Sequence, residues 1–187
     1  MKIDELLEAI EKTMSKSKVI ELAHIAAKSS YSVKDLIDLT FHADQQVGFR
    51  AAWILENLFS LQEARFLEHV SYFLEKFSDQ ENRSAQRHYV KILAQLSRPK
   101  AAEQVKKIWT TVDAGNLITT VFDWLIDPQT PVAIKSHALS ILANLNRIYP
   151  WIGPELLQTI DFLIDKESIA FFAKAKQVRK QLLPRVR

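Results

Sequence analysis

The stretch that decides the fold is Ile54-Leu55-Glu56-Asn57-Leu58, because the chain repeats its pattern. Two later copies are Ile92-Leu93-Ala94-Gln95-Leu96 and Ile141-Leu142-Ala143-Asn144-Leu145, and a shortened copy ends at Gln181-Leu182. The final leucines of successive copies are 38, 49 and 37 residues apart. A period of this size is typical of stacked helical hairpins, in which each repeat buries one face against the next.

Apolar residues recur at intervals of three and four along almost the whole chain, which predicts helices. The predicted helices cover residues 3–14, 18–29, 33–42, 46–60, 63–77, 83–97, 100–112, 115–126, 131–148, 154–165 and 168–183. Pairing neighbours gives five antiparallel hairpins and one extra helix at 100–112, which explains the long interval. The links are short, so we expect an all-α fold in a single domain over residues 1–187.

The composition excludes several other classes of protein. Only three glycines occur, whereas all-β and doubly wound proteins need more of them for tight turns and phosphate loops. The absence of cysteine excludes disulfides, thiolate metal sites and cysteine nucleophiles. The start of the chain is acidic and amphipathic, unlike a signal peptide, and no window is apolar for the length of a membrane span. We therefore expect a cytoplasmic protein without a membrane partner.

Positive charge is concentrated near the end of the sequence. The net charge is +3, and the last fourteen residues contain six basic side chains and no acid. They are Lys174, Lys176, Arg179, Lys180, Arg185 and Arg187. Such a segment attracts nucleic acid or an acidic partner, or it is a solvated final helix whose charge complements its C-terminal dipole.

A basic residue recurs near the start of the second helix of four hairpins. These residues are Arg50, Arg87, Lys135 and Lys174. An acid precedes each of them in the hairpin turn, at Asp44, Glu81, Asp127 and Glu167. Two interpretations stay open: the basic residues pair with acids of adjacent repeats, or they are polar contacts for a partner in a groove lined by the second helices.

Two of these turns resemble the HEAT-repeat and armadillo-type superhelix family. The segments are Asp44-Gln45-Gln46-Val47-Gly48-Phe49-Arg50 and Asp127-Pro128-Gln129-Thr130-Pro131-Val132-Ala133-Ile134-Lys135, in which an acid precedes a valine and then a basic residue. In that family the acid of this turn is often followed by a proline, and the corresponding segment from Asp79 to Arg87 lacks both this proline and the valine. The resemblance spans residues 31–183 and implies a right-handed α-α superhelix. It implies no single function, because that fold serves many roles.

No motif for catalysis or cofactor binding is present. The sequence has no phosphate loop, no His-Glu-x-x-His and no Gly-x-Ser-x-Gly. Its five histidines are scattered, and no further ligands converge on them in the sequence. We therefore predict no catalytic residue, no cofactor and no metal site.

Trp109 and Asp113 lie one helical turn apart at the irregular break in the repeats. This pair resembles the Trp/Asp pair of the HEAT-like alkylpurine DNA glycosylases, although no arginine here matches the one essential to that family. The resemblance implies that Trp109 and Asp113 would belong to a nucleic-acid site, and the basic end of the sequence adds Lys176, Arg179 and Lys180 as candidates for that site. The simpler interpretation is a core tryptophan, with Asp113 capping the helix that begins near residue 115.

Trp151 lies in a turn bounded by two prolines, where an exposed aromatic side chain could anchor a partner or cover the end of a hairpin.

Taken together, the helical repeats and the absence of a catalytic motif favour a non-enzymatic interaction module or scaffold that binds a protein or peptide segment. A nucleic-acid-binding protein, including a glycosylase, is the alternative. End-to-end homodimerisation through a terminal hairpin also stays open.

Overall fold

Helices account for all the regular secondary structure in residues 3–12, 15–28 and 32–183, which are the residues that the computed structural model describes. Within these ranges the helices are α1 (Ile3–Glu11), α2 (Lys16–Lys28), α3 (Val33–Leu39), α4 (Gln45–Leu61), α5 (Glu63–Leu67), α6 (Val70–Phe77), α7 (Arg83–Leu96), α8 (Glu103–Thr111), α9 (Gly115–Ile126), α10 (Val132–Leu145), α11 (Ile152–Leu163) and α12 (Ile169–Leu182). The predicted all-α class is confirmed.

Ten of the predicted helices are found, with ends that differ from the prediction by at most three residues where both ends are described. The predicted ends at residues 14 and 29 lie outside the described residues. The extra helix of the long interval is α8.

One prediction was wrong, because the helix expected at 63–77 is two helices. The break lies at Glu68 and His69, and the His69 amide donates to the carbonyl of Phe66, three residues back, at 2.9 Å. His69 has φ −117° and ψ 11°, outside the helical region. Phe66 and Val70, on either side of the break, are both buried, so the apolar pattern continues although the helical conformation is interrupted.

The chain forms two compact units, Met1–Ile92 and Leu93–Arg187. The division falls within α7, so its first part belongs to one unit and its last turn to the other. The single domain expected from the sequence stays a prediction.

The first unit is built around α4, which contacts α1, α2, α3 and α5. Its buried side chains lie on several faces of the helix, as the sequence predicts for a helix between neighbours. Asp44 begins the helix, because its carboxylate accepts hydrogen bonds from the amides of Gln46 and Val47 at 2.7 and 3.4 Å. The turn that resembles the repeat family therefore provides the N-cap.

The second unit is built around α10, which contacts α9, α11 and α12. In both units the leucines that define the repeat are in the core: Leu58, Leu96 and Leu145 are all buried. A fully buried leucine stabilises the fold by roughly 1.5–3 kcal/mol relative to an exposed one. In each second helix, the repeated stretch thus provides apolar side chains that pack against the neighbouring helices.

Candidate functional site

The four periodic basic residues of the second helices have four different environments. Arg50 is half-buried on α4, and its Nη1 donates to the carbonyls of Ile10 and Glu11 at 2.7 and 3.1 Å. These carbonyls belong to the last turn of α1, which has no further helical turn to donate to them. Arg50 therefore caps the C-terminal end of a helix in the preceding hairpin.

Lys135 on α10 is almost completely buried, and its Nζ donates to the carboxylate of Glu167 in the turn before α12. Glu167 itself is 14% exposed. A buried ammonium group needs such a partner, because an unpaired charge in the interior is strongly destabilising. This contact is the inter-repeat acid–base pair that one interpretation of the sequence expects.

Lys174 on α12 is half-buried and donates to Gln177 Oε1 at 3.2 Å. Burial lowers the pKa of Lys174, because desolvation disfavours its charged form. Arg87 on α7, in contrast, is exposed. Of the four periodic residues, Arg87 is therefore the most accessible to a partner.

Trp151 is 53% exposed, at the residue before α11. Its ring stacks on Phe122 of α9 with a centroid separation of 6.4 Å and an interplanar angle of 28°. Trp151 thus covers part of α9 while it keeps about half of its surface open to solvent.

Trp109 and Asp113 point to different environments. Trp109 on α8 is 3% exposed, and its indole N–H donates to the carbonyl of Leu96 at 3.2 Å. Asp113 is exposed, and its carboxylate accepts a hydrogen bond from the amide of Gly115 at 3.0 Å. The hydroxyl of Tyr149 donates to the Trp109 carbonyl at 2.8 Å, and burial, with the nearby charge of Asp113, raises the pKa of Tyr149. These are the contacts of a core tryptophan and of a carboxylate that caps a turn.

The three other basic residues of the nucleic-acid alternative lie on α12. Arg179 pairs with Asp161 of α11. Lys176 and Lys180 are exposed, and neither takes part in an ion pair within the described residues. Arg179 is therefore engaged in the hairpin, whereas the two lysines are available to a partner.

Sequence reasoning missed a group of side chains on the facing second helices α4 and α7, here called the aromatic–ionic cluster. Its members are Phe49, Trp53, Glu56, His88 and Lys91. The imidazole of His88 lies against both aromatic rings, with centroid separations of 5.5 Å from Phe49 and 6.1 Å from Trp53. The two aromatic rings stack on each other at 5.8 Å.

The ionic part of the cluster is centred on Glu56. Its Oε2 lies 2.5 Å from His88 Nδ1, and Lys91 Nζ donates to both carboxylate oxygens at 3.1 and 3.2 Å. Burial alone would raise the pKa of Glu56, but the interactions with His88 and Lys91 outweigh it, so the pKa lies below its ordinary value of 4.5. Nε2 of His88 is buried and has no hydrogen-bond partner among the described residues.

The cluster combines a buried member with accessible ones. His88 is 5% exposed, while the aromatic rings, Glu56 and Lys91 are half-buried. Arg87 and Lys91 are four residues apart on α7, so they lie on one side of that helix. The signal in the sequence was the spacing of 32 and 35 residues from Glu56 to His88 and Lys91, which is close to one repeat.

The described residues contain no group of three or more His, Asp or Glu side chains that could hold a metal ion. In the same part of the chain, none of the helices has the length and apolar character needed to cross a membrane.

The comparisons with known proteins identify a family but no individual relative. Searches of curated proteins and of solved structures give no match to this chain. The sequence model of the HEAT repeat domain matches residues 6–184, which is nearly the whole chain and includes every residue of the aromatic–ionic cluster. With its helical hairpins, its periodic buried leucines and this match, the chain belongs to the HEAT repeat domain family.

Proposed function

We propose that this protein is a non-enzymatic interaction module or scaffold that binds a segment of a partner protein at the aromatic–ionic cluster. HEAT repeats generally mediate protein–protein interaction or scaffolding, and this chain belongs to that family. The observation that carries the proposal is the placement of half-buried aromatic rings beside fixed charges on the neighbouring second helices α4 and α7.

The cluster has the composition of a protein-binding hot spot. The half-buried rings of Trp53 and Phe49 keep part of their apolar surface open to a partner. His88 packs against these rings and lies within hydrogen-bonding distance of Glu56, so the side chains are already ordered before a partner arrives. Binding to ordered side chains costs less conformational entropy than binding to mobile ones.

Charge defines the kind of segment that fits. Glu56 is ion-paired with Lys91 and lies within hydrogen-bonding distance of His88, whereas Arg87 is exposed beside them. The face therefore presents apolar rings flanked by positive charge. A peptide or helix with an apolar side chain next to acidic residues is complementary to it.

The proposal is tested by quantitative co-purification with the full-length chain as bait. Arg87→Glu and Trp53→Ala are compared with Lys100→Glu, a charge reversal at an exposed residue between α7 and α8. We expect the partners that co-purify with the wild-type chain to be lost with the first two variants and retained with the control. Equal recovery with all three variants, each shown to be folded by circular dichroism, would contradict the proposal.

A nucleic-acid partner is the second candidate, and the exposed lysines of α12 support it. It predicts a complex with duplex or single-stranded DNA or RNA that weakens steeply as salt increases, because phosphate contacts release counterions. A mobility-shift assay at low salt measures this directly. The glycosylase version further predicts abasic-site formation on alkylated DNA that is lost in Asp113→Asn.

A further inference from the structure

The outer face of α12 combines exposed apolar side chains with lysines, and its inner face is buried. Phe171, Ala175 and Val178 form the inner face within a unit in which α12 contacts α10 and α11. Three large apolar side chains point the other way: Ile169 is 89% exposed, Phe172 is 48% exposed and Leu183, the C-cap residue, is 53% exposed. Large apolar side chains grouped on a surface mark interaction sites more often than single ones do.

These apolar residues and two lysines form one continuous stripe, here called the outer stripe. At about 3.6 residues per turn, its members fall within a sector of about 80°. The members are Ile169, Phe172, Lys176, Lys180 and Leu183, all of which are exposed. The stripe is apolar at its N-terminal end, basic in the middle and apolar again at its C-terminal end, over a length of roughly 21 Å.

The stripe has no acid of its own. α12 reads Ile-Ala-Phe-Phe-Ala-Lys-Ala-Lys-Gln-Val-Arg-Lys-Gln-Leu, without aspartate or glutamate. The nearest ion pair on the helix, between Arg179 and Asp161, fixes α12 to α11 and leaves Lys176 and Lys180 outside it. Neither lysine of the stripe is therefore ion-paired within the described part of this helix hairpin.

From this arrangement we propose that the outer stripe docks an acidic amphipathic helix of a partner protein. Such a helix would place apolar side chains on Ile169, Phe172 and Leu183 and carboxylates on Lys176 and Lys180. Carboxylates four residues apart on the partner helix match lysines four residues apart on α12, since both repeat after about one turn.

The order of residues along the stripe distinguishes an acidic amphipathic helix from two other partners, nucleic acid and a membrane surface. Nucleic acid would use the lysines but leave the apolar ends, including the almost fully exposed Ile169, without contacts. A membrane surface would bury the apolar ends but draw the two central lysines toward the acyl chains, whereas interfacial helices keep their lysines on the polar face. An acidic amphipathic helix satisfies both kinds of side chain at once.

The test uses the full chain and a fluorescein-labelled, helix-stabilised peptide of the same 14-residue length as α12, apolar at both ends and glutamate-rich in the middle. Fluorescence anisotropy measures its affinity for the wild-type chain, for Lys176→Glu/Lys180→Glu and for Phe172→Ser. We expect each variant to bind about tenfold more weakly or worse. A peptide with its glutamates replaced by lysines should bind the doubly reversed variant and restore the affinity.

A matched control reverses two exposed lysines outside the stripe, in Lys100→Glu/Lys107→Glu, and should leave binding unchanged. A scrambled peptide that binds as tightly as the designed one would overturn the proposal, as would tighter binding to duplex DNA or to anionic phosphatidylserine vesicles. A dimer of the chain that Lys176→Glu/Lys180→Glu dissociates in sedimentation would assign the stripe to a second copy instead. The stripe shares no residue with the aromatic–ionic cluster, so failure here leaves the proposed function standing.

Discussion

At the scale of single residues, Gly48 shows how one position fixes a helix packing distance. It lies near the start of α4, and a Cβ atom there would be 2.7 Å from the backbone carbonyl oxygen of Thr40. Real Cβ atoms do not approach backbone so closely, so a side chain would push α4 away from the end of α3. Glycine is needed for this close approach and not for an unusual backbone conformation, since no described glycine has positive φ.

We therefore expect Gly48→Ala to lower the free energy of unfolding by about 1–3 kcal/mol, which is the usual cost of overpacking. Gly115→Ala is the matched control, because its Cβ would meet only the Asp113 carboxylate at 3.2 Å, which can move. Urea denaturation measures both variants. Equal stability of Gly48→Ala and the wild type would show that α3 and α4 can separate without cost.

The pH dependence of stability should depend on Glu56. The pKa of this carboxyl is lower in the folded chain than its ordinary value of 4.5, so the folded state binds fewer protons than the unfolded state near that pH. The resulting stabilisation is fully present above pH 4.5 and is lost as the pH falls through the folded pKa, below 4.5.

Glu56→Gln should remove this part of the acid dependence. The variant should also be less stable at pH 7 by about 1–3 kcal/mol, because His88 and Lys91 lose a charged acceptor. Thermal unfolding of both proteins between pH 7 and pH 3 measures the difference. If their stabilities fell in parallel below pH 4.5, the ionic part of the cluster would not contribute as described.

At the scale of helices, several side chains cap helices that lie about one repeat length earlier in the sequence. Arg50 donates to the last turn of α1, and Arg65 of α5 donates to the carbonyls of Ala26 and Ala27 at the end of α2, at 2.7 and 3.0 Å. Near the other end of the chain, Gln181 donates to the carbonyl of Ala143 in α10 at 3.3 Å. Each donor is 38 to 40 residues beyond its main acceptor, which is the repeat distance.

Loss of such a cap should affect the helix that receives it. We expect Arg50→Leu to increase amide hydrogen exchange in the last turn of α1 while leaving α10 unchanged, because the carbonyls of Ile10 and Glu11 lose their donor. Mass spectrometry of hydrogen exchange on the intact chain measures both helices. Unchanged exchange in α1 would mean that packing alone holds its end.

The pair of Lys135 and Glu167 links α10 to the turn before α12 in the same way, but through charge. Glu167→Gln should cost roughly 3–5 kcal/mol of stability, because it leaves a buried ammonium group unpaired. Lys135→Met/Glu167→Gln should recover most of this loss, since a neutral side chain of similar length then fills the site. A double variant no more stable than Glu167→Gln would contradict this account of the pair.

At the scale of the whole molecule, the helices were predictable and the contacts between them were not. The leucine period and the spacing of apolar residues can be read from the sequence alone, so they predicted nearly every helix, including the extra helix α8. The contact between His88 and Glu56 depends instead on the rotation of two helices about their axes, which no periodicity of a single helix fixes. Arg50 was expected to lie near an acid or a partner, but its guanidinium donates to backbone carbonyls. Every residue has a backbone carbonyl, so no sequence pattern identifies such an acceptor.

The central claim is that the facing second helices α4 and α7 carry the surface on which a partner protein binds. Hydrogen exchange of the full chain, with and without a partner recovered by co-purification, tests it most directly. We predict that the partner protects α4 around Trp53 and α7 around His88, and that Arg87→Glu abolishes this protection. Protection confined to helices outside the cluster, with α4 and α7 unchanged, would contradict the claim.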